Sequence, residues 1–344
     1  MTKLVRAAVL TNYLEVTQYL GFNPRDVLEA SGLNRAQLLA PEHRIPIDSA
    51  VRVLEDSAAA SGCQSFGLSM AESRHLSDFG VVSLLLTHQR TLREAFEVIA
   101  HYRHLMNDSL AIFIEEAGKM VIIREEVVTD TPMPCRQANE LAIGVMFRLC
   151  SALLGAHWHP YSVNFTHQPP DNLQLHRRLF GCKMEFGSEF NGIVCPNTSL
   201  DMPNPHADPA MARYAQGYLD SLLSDDGPSL LFEVRKAIYV LLPMGRATIE
   251  QIAQTQGMNV RTLQRRLKDD DCAFNDLIND VRRDLVLRYL ENPNYSLGRI
   301  ADMLGYSMAS SFTRWFITQF GMPPASWRAQ KQTPSKPLSD AKEY

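Results

Sequence analysis

What the sequence lacks sets the first limits. No run of about 18 apolar residues occurs, so no transmembrane helix and no membrane partner are expected. The opening MTKLVRAAVLTNYLEVTQYLGF is amphipathic and carries Asn12 and Glu15, without the continuous apolar stretch of a signal peptide. Cysteine is scarce: Cys63, Cys135, Cys150, Cys182, Cys195 and Cys272, with no CxxC pair and mostly apolar neighbours. These read as buried, reduced thiols of a cytoplasmic protein. No GxSxG elbow, phosphate-binding loop, GxGxxG turn or HExxH helix is found, so no catalytic motif and no cofactor are expected. Strong net charge is missing as well, since the formal value is −4.

What is present is ordinary globular composition. The 344 residues are 45% hydrophobic and 21% charged, a length that suits two or three domains with sizeable cores. The small net charge hides an asymmetry. Residues 228–330 carry 13 Lys and Arg against 10 Asp and Glu, or +3, whereas residues 1–227 come to −8. By itself +3 is weak evidence for a polyanionic partner.

The first hundred residues read as helices. Asp48 is placed to cap DSAVRVLEDSAAASG, which Gly62 ends, and TLRE at 91–94 has the form of a capping box. SLAIFIEEAGKMVIIREEVV (109–128) reads as two strands joined at Ala117-Gly118-Lys119. RQANELAIGVMFRLCSALLG (136–155) returns to helix, followed by short strands near 162 and in 182–195, with the helix NLQLHRRLF between them. Residues 1–205 are therefore expected to form an α+β domain. The Pro-rich DMPNPHADP (201–209) marks a boundary, and 206–228 is a helical linker that ends in SDDGP. Residues 229–330 read as an all-α domain, and the apolar-poor tail 331–344 as disordered.

One internal repeat stands out. TIEQIAQTQGMNVRTLQRRLK starts at Thr248 and SLGRIADMLGYSMASSFTRWF at Ser296. Ile252-Ala253 meets Ile300-Ala301, Gly257 meets Gly305 and Arg266 meets Arg314, at an offset of 48 throughout. In each copy a Thr or Ser caps a short helix, and a Gly supplies the positive φ of a tight turn. A polar cap, Asn259 or Ser307, then opens a second helix whose apolar positions lie four apart: Leu263 with Leu267, Phe312 with Phe316. This is a helix–turn–helix, present twice.

These residues resemble the DNA-binding domain of the AraC/XylS family of transcription regulators. The resemblance rests on TIEQIA…G…RTLQRRLK, Arg282 in NDVRRDLVLRYL, IADMLGYS…SFTRWF and the closing GMPPASWR (321–328). Residues 1–205 resemble, less sharply, that family's arabinose-binding-type N-terminal domain, best in LHRRLFGCKMEFGSEFNGIVCP. Three positions depart from the family pattern: Asp271 where Gly is usual, Val286 where Ala is usual, and Met308 where a polar cap, often Asp, is usual. Asp is less comfortable than Gly at positive φ.

The resemblance implies an effector-responsive activator that reads successive major-groove faces of double-stranded DNA. It also implies RNA polymerase as a partner, an unknown small-molecule effector and a possible homodimer. Base contacts carry over to Arg261, Gln264 and Arg265 on the first reading helix, where Lys268 is a further expected DNA contact. On the second the matching DNA-binding positions are Ala309, Ser310, Thr313 and Arg314, a half expected to carry less sequence information and to grip mainly the backbone. Gln pairs with adenine and Arg with guanine in bidentate fashion, whereas Ala, Ser and Thr discriminate by small contacts such as a thymine methyl. Arg282 and Arg299 are phosphate partners or intradomain salt bridges. His101, Tyr102 and Arg103, in HYRHLMND, line an effector pocket or simply cover the hairpin. His157, His159 and His167 supply too few converging ligands for a metal, and none is expected. Two other readings remain: a small-molecule-processing enzyme in 1–205 with a DNA-binding tail, and a nonspecific DNA coat, which the +3 balance disfavours.

Overall fold

The computed structural model describes residues 3–155, 158–222 and 229–332. SDDGP at 224–228, His157 and positions 333–344 of the expected tail lie outside the described residues. The chain divides into two compact units between Val240 and Leu241.

The first unit opens with a feature the sequence pattern hid. Strand β1 (Leu4–Arg6) pairs antiparallel with β2 (Arg44–Pro46), around helices α1 (Tyr13–Tyr19), α2 (Arg25–Ala30) and α3 (Arg35–Leu38). Three-residue strands are too short to show a period, so the all-helical expectation for this region is corrected here. Helices α4 (Ile47–Ser61), α5 (Phe66–Glu72), α6 (Val82–Leu86) and α7 (Leu92–Met106) follow. Gly62 ends α4 in the left-handed region. Asp48, however, does not cap its own helix. Its carboxylate accepts the backbone N–H groups of Asp130 and Thr131, at 2.8 and 3.1 Å, and so ties α4 to a distant loop. At α7 the Thr91 hydroxyl accepts the Glu94 N–H, while the Glu94 carboxylate accepts the N–H of Arg90 rather than that of Thr91.

Strands β3 (Leu110–Ala117) and β4 (Met120–Val127) form the expected hairpin, in register from Leu110↔Val127 to Ala117↔Met120. Next come α8 (Arg136–Leu154), β5 (Ser162–Asn164), α9 (Gln174–Phe180), β6 (Lys183–Glu185) and β7 (Gly192–Pro196). The sheet order is β3-β4-β7-β5-β6, with only the β5–β6 pair parallel. On β4 the alternate residues Val121, Ile123, Glu125 and Val127 are buried, as period-two burial of one sheet face requires. Helix α8 is buried along most of its length and packs on β4, α4 and α5. It lies so close to α5 that a Cβ on Gly67 would stand 2.0 Å from the Gln137 carbonyl oxygen. Helices α10 (Pro209–Ser221) and α11 (Leu230–Leu241) complete this part of the chain.

The second unit is helical. Helices α12 (Ile249–Thr255) and α13 (Val260–Asp269) form one helix–turn–helix, and α15 (Leu297–Met303) and α16 (Ala309–Phe320) form another. The long α14 (Phe274–Glu291) joins them, and α17 (Pro324–Gln332) closes the unit. Ile252, Ala253, Leu263 and Leu267 are buried in the first copy, and Ile300, Ala301, Phe312 and Phe316 in the second. All free cysteines of the chain are buried or half-buried, with Cys135, Cys150 and Cys195 fully inside.

Candidate functional site

Local chemistry fixes each helix–turn–helix. The Thr248 hydroxyl accepts the Gln251 N–H to start α12, and the Ser296 hydroxyl accepts the Arg299 N–H to start α15. Gly257 and Gly305 make the turns at φ +63° and +74°, where a side chain would be strained. The Asn259 side chain accepts the Thr262 N–H at 2.9 Å and opens α13. The second copy differs. Its helix opens after Met308, which offers no side-chain cap, and Ser307 stands one residue too early. The turn is thus one residue longer, so the offset of 48 holds for the first helices and becomes 49 for the second. Leu263 and Leu267 then match Phe312 and Phe316, and Arg265, not Arg266, matches Arg314.

Arg261, Gln264, Arg265 and Lys268 follow the i, i+3, i+4, i+7 pattern, which puts them on one helical face, and all four are exposed. Leu263 and Leu267 anchor the other side of α13 in the core. Among the described residues, none of these four side chains is held by an ion pair or hydrogen bond within the protein. On α16 the matching face carries Ser310, Thr313, Arg314 and Ile317, with Ala309 beside it. Thr313 is half-buried and its hydroxyl donates to the Ala309 carbonyl at 2.9 Å, while Ala309, Ser310 and Arg314 are exposed. Sequence reasoning missed Ile317, which occupies the Lys268 position and is 42% exposed. The one-residue-longer turn concealed it.

Arg282 and Arg299 take different places. Arg282 is half-buried. Its Nε donates to the Leu304 carbonyl at 2.9 Å and its guanidinium stacks 4.3 Å from the centre of the Tyr306 ring. Burial lowers its pKa. It braces the second turn against α14. Arg328, the last residue of GMPPASWR, does the same for the end of α14, donating to the carbonyls of Leu290 and Tyr295. Arg299 is exposed on α15.

The first unit holds an apolar cavity of about 150 Å³. Ile47, Val51, Leu54, Ile99, Leu141 and Val145 are among its walls, with Arg6, Arg74 and Arg103 also lining it. Of the residues expected at an effector pocket, Arg103 alone lines this cavity. His101 is exposed, and the Tyr102 hydroxyl donates to the Asp220 carboxylate. Arg103 pairs with Glu233 of α11 at 2.9 Å, and Lys236 pairs with the same carboxylate at 2.7 Å. Arg74 had no signal in the sequence. It is 6% exposed, and burial lowers its pKa to about 10. His167 sits 3.1 Å from the buried Glu140, which His176 also approaches at 3.6 Å. Among the described residues, no group of three or more His, Cys, Asp or Glu side chains is arranged to hold a metal ion, and no helix is long and apolar enough to cross a membrane.

Two helix–turn–helix units, each with an exposed polar face on its second helix, define a DNA-binding protein. Comparison with known proteins agrees. Residues 21–204 match the family model described as the arabinose-binding domain of AraC transcription regulators, and residues 252–330 match a helix-turn-helix domain. The transcriptional regulator VirS of Mycobacterium tuberculosis is 30% identical over 329 residues, covering 95% of this chain and 96% of that one. The ornithine utilization regulator of Pseudomonas aeruginosa is 23% identical over 334 residues, with 95% and 96% covered. Among solved structures, the transcriptional regulator CdpR from Pseudomonas aeruginosa aligns at 18% identity over 91% of this chain and 98% of that one, with a TM-score of 0.43. The chain belongs to the AraC family of transcription regulators. It is a helix-turn-helix DNA-binding regulator from a family of regulators rather than enzymes.

Proposed function

We propose that the chain is a cytoplasmic, effector-responsive activator that reads two successive major-groove faces, α13 giving more sequence information than α16. The observation that carries this reading is the unengaged exposed face of Arg261, Gln264, Arg265 and Lys268. Arg and Gln offer bidentate donors to guanine and adenine, whereas Ser310 and Thr313 offer smaller contacts. The half-sites then lie about 10–10.5 base pairs apart on one face of the DNA. Arg265→Ala is expected to cost about 1–3 kcal/mol in operator binding and to relax specificity at one base position. A gel-shift series on DNA selected from a random library measures both effects. Unchanged affinity across single-base variants removes Arg265 from the reading face.

Effector response has its own support. Arg103 belongs both to the cavity wall and to an ion pair with Glu233, on the helix that runs into the second unit. A ligand that shifts Arg103 changes the hold on α11. To act on DNA it must bind the DNA-competent state better than the other state. Activation through RNA polymerase follows the family expectation. Purified transcription assays in which the protein lowers transcript yield at its own operator reverse that direction. Self-association is the reading for α10, whose Met211, Tyr214 and Tyr218, with Leu222 just past its end, are exposed at helical spacing. A sedimentation velocity run with a single monomer boundary at micromolar concentration removes it.

A further inference from the structure

We propose that the cavity of the first unit binds a small monocarboxylate whose apolar body is about the size of a benzene ring, with Arg74 as the partner of the carboxylate. The proposal rests on the effector-responsive reading and deepens it by naming a ligand class. Size comes from the cavity. At about 150 Å³ it matches the volume at which an engineered apolar cavity takes up benzene. The walls set the character of the body. Aliphatic side chains from α4, α7, α8, β3 and β4 line the space, Ala142, Val145, Leu110, Ile112 and Val127 among them.

The charge comes from Arg74. This guanidinium is almost fully buried, and a buried cation needs a counter-charge or a full set of acceptors. It has neither. Nη1 and Nη2 donate to the carbonyls of Ala8 and Val9, at 2.7 and 2.6 Å, and Nε has no partner. Among the described residues, no carboxylate oxygen lies within ion-pair distance of it. The other charged groups of the lining are committed. Arg6 is paired with Glu42 and Arg103 with Glu233, and Asp78 accepts the N–H of His75. A buried guanidinium with no ion pair and an unpartnered Nε, beside an apolar cavity, suits one negative charge on an apolar body.

The same residues fit a pentose poorly, although the matched domain family is described by arabinose. Every ring hydroxyl placed against these walls without a partner would lose its hydrogen bonds to water. The lining offers few uncommitted polar groups to replace them.

The test titrates the full chain by calorimetry with benzoate, hexanoate, benzamide and L-arabinose. Benzoate or hexanoate is expected to bind at least tenfold more tightly than benzamide, with no heat from arabinose. Arg74→Gln should weaken carboxylate binding at least tenfold and leave benzamide unchanged. Arg74 also holds two backbone carbonyls, so Ala142→Phe provides a second variant that fills the cavity without touching that contact. It should abolish carboxylate binding while circular dichroism stays unchanged. Benzamide binding as tightly as benzoate, arabinose binding in place of the acids, or carboxylate binding that survives Ala142→Phe overturns the proposal. So does a folded chain that binds neither acid. Operator affinity is measured separately, with and without benzoate. Carboxylate binding that leaves operator affinity unchanged keeps the ligand class and removes the effector reading instead.

Discussion

Asp271 stands at φ +52°, in the left-handed region, where glycine carries no steric penalty and Asp does. It is exposed, so replacing its side chain removes no packing. Asp271→Gly is expected to stabilise the second unit by about 0.5–1 kcal/mol. Urea unfolding of the full chain reads the change, and a lower midpoint for the variant would contradict it. Gly305 is the control. At φ +74° an added Cβ would also lie 3.3 Å from Leu242 Cδ1, so Gly305→Ala should cost about 1–2 kcal/mol in the same assay. These two positions also show what single residues reveal in the sequence. A glycine inside a repeated motif announces its backbone, and the aspartate in a glycine's place announced the strain. Arg74 announced nothing. Its meaning depends on carbonyls more than sixty residues away, and no local pattern encodes that.

Elements of similar role are built unequally here. Helix α13 begins with a side-chain cap from Asn259, whereas α16 begins at Met308, which is 62% exposed and caps nothing. A polar cap satisfies one of the orphan N–H groups of the first turn, worth about 1 kcal/mol. Met308→Asn is therefore expected to stabilise the unit by about that amount, and Asn259→Ala to destabilise it by a similar amount. Thermal unfolding of the two variants beside the parent checks both, and shifts of the same sign would refute the argument. Elements with a clear period were legible. The β3–β4 hairpin and α8 lie where the 109–128 and 136–155 patterns put them. What escaped has physical reasons. The β1–β2 pair joins residues about forty positions apart through strands of only three residues. The second turn carries one extra residue, which leaves the first-helix register at 48 but moves the second-helix register to 49. That shift decides which arginine of α13 corresponds to Arg314, because one residue turns a helical position by about 100°.

Across the whole molecule, charge is divided unevenly: −8 for residues 1–227 against +3 for 228–330. A protein that coats DNA without reading it depends on many phosphate contacts, and its affinity falls steeply with salt. The two helix–turn–helix units have few exposed cations to spend that way. Among the described residues, those whose side chains make no ion pair or hydrogen bond within the protein are Arg261, Arg265, Arg266, Lys268 and Arg314. Arg282, Arg283 and Arg328 are engaged inside the second unit, with a carbonyl, with Asp280 and with two carbonyls respectively. If Arg261 and Arg265 read bases, about three cations remain for phosphates, which gives a log–log salt slope near −3 at the selected operator. The slope on random DNA should be no shallower, because the same cations lose their base partners and keep only phosphates. Affinity for random DNA should then become too weak to measure well below the salt concentration at which operator binding fails. Fluorescence anisotropy on both DNAs across a salt series tests this. Equal affinities for operator and random DNA at about 0.15 M salt, with a common slope steeper than about −8, would mean that the chain grips backbone without reading sequence.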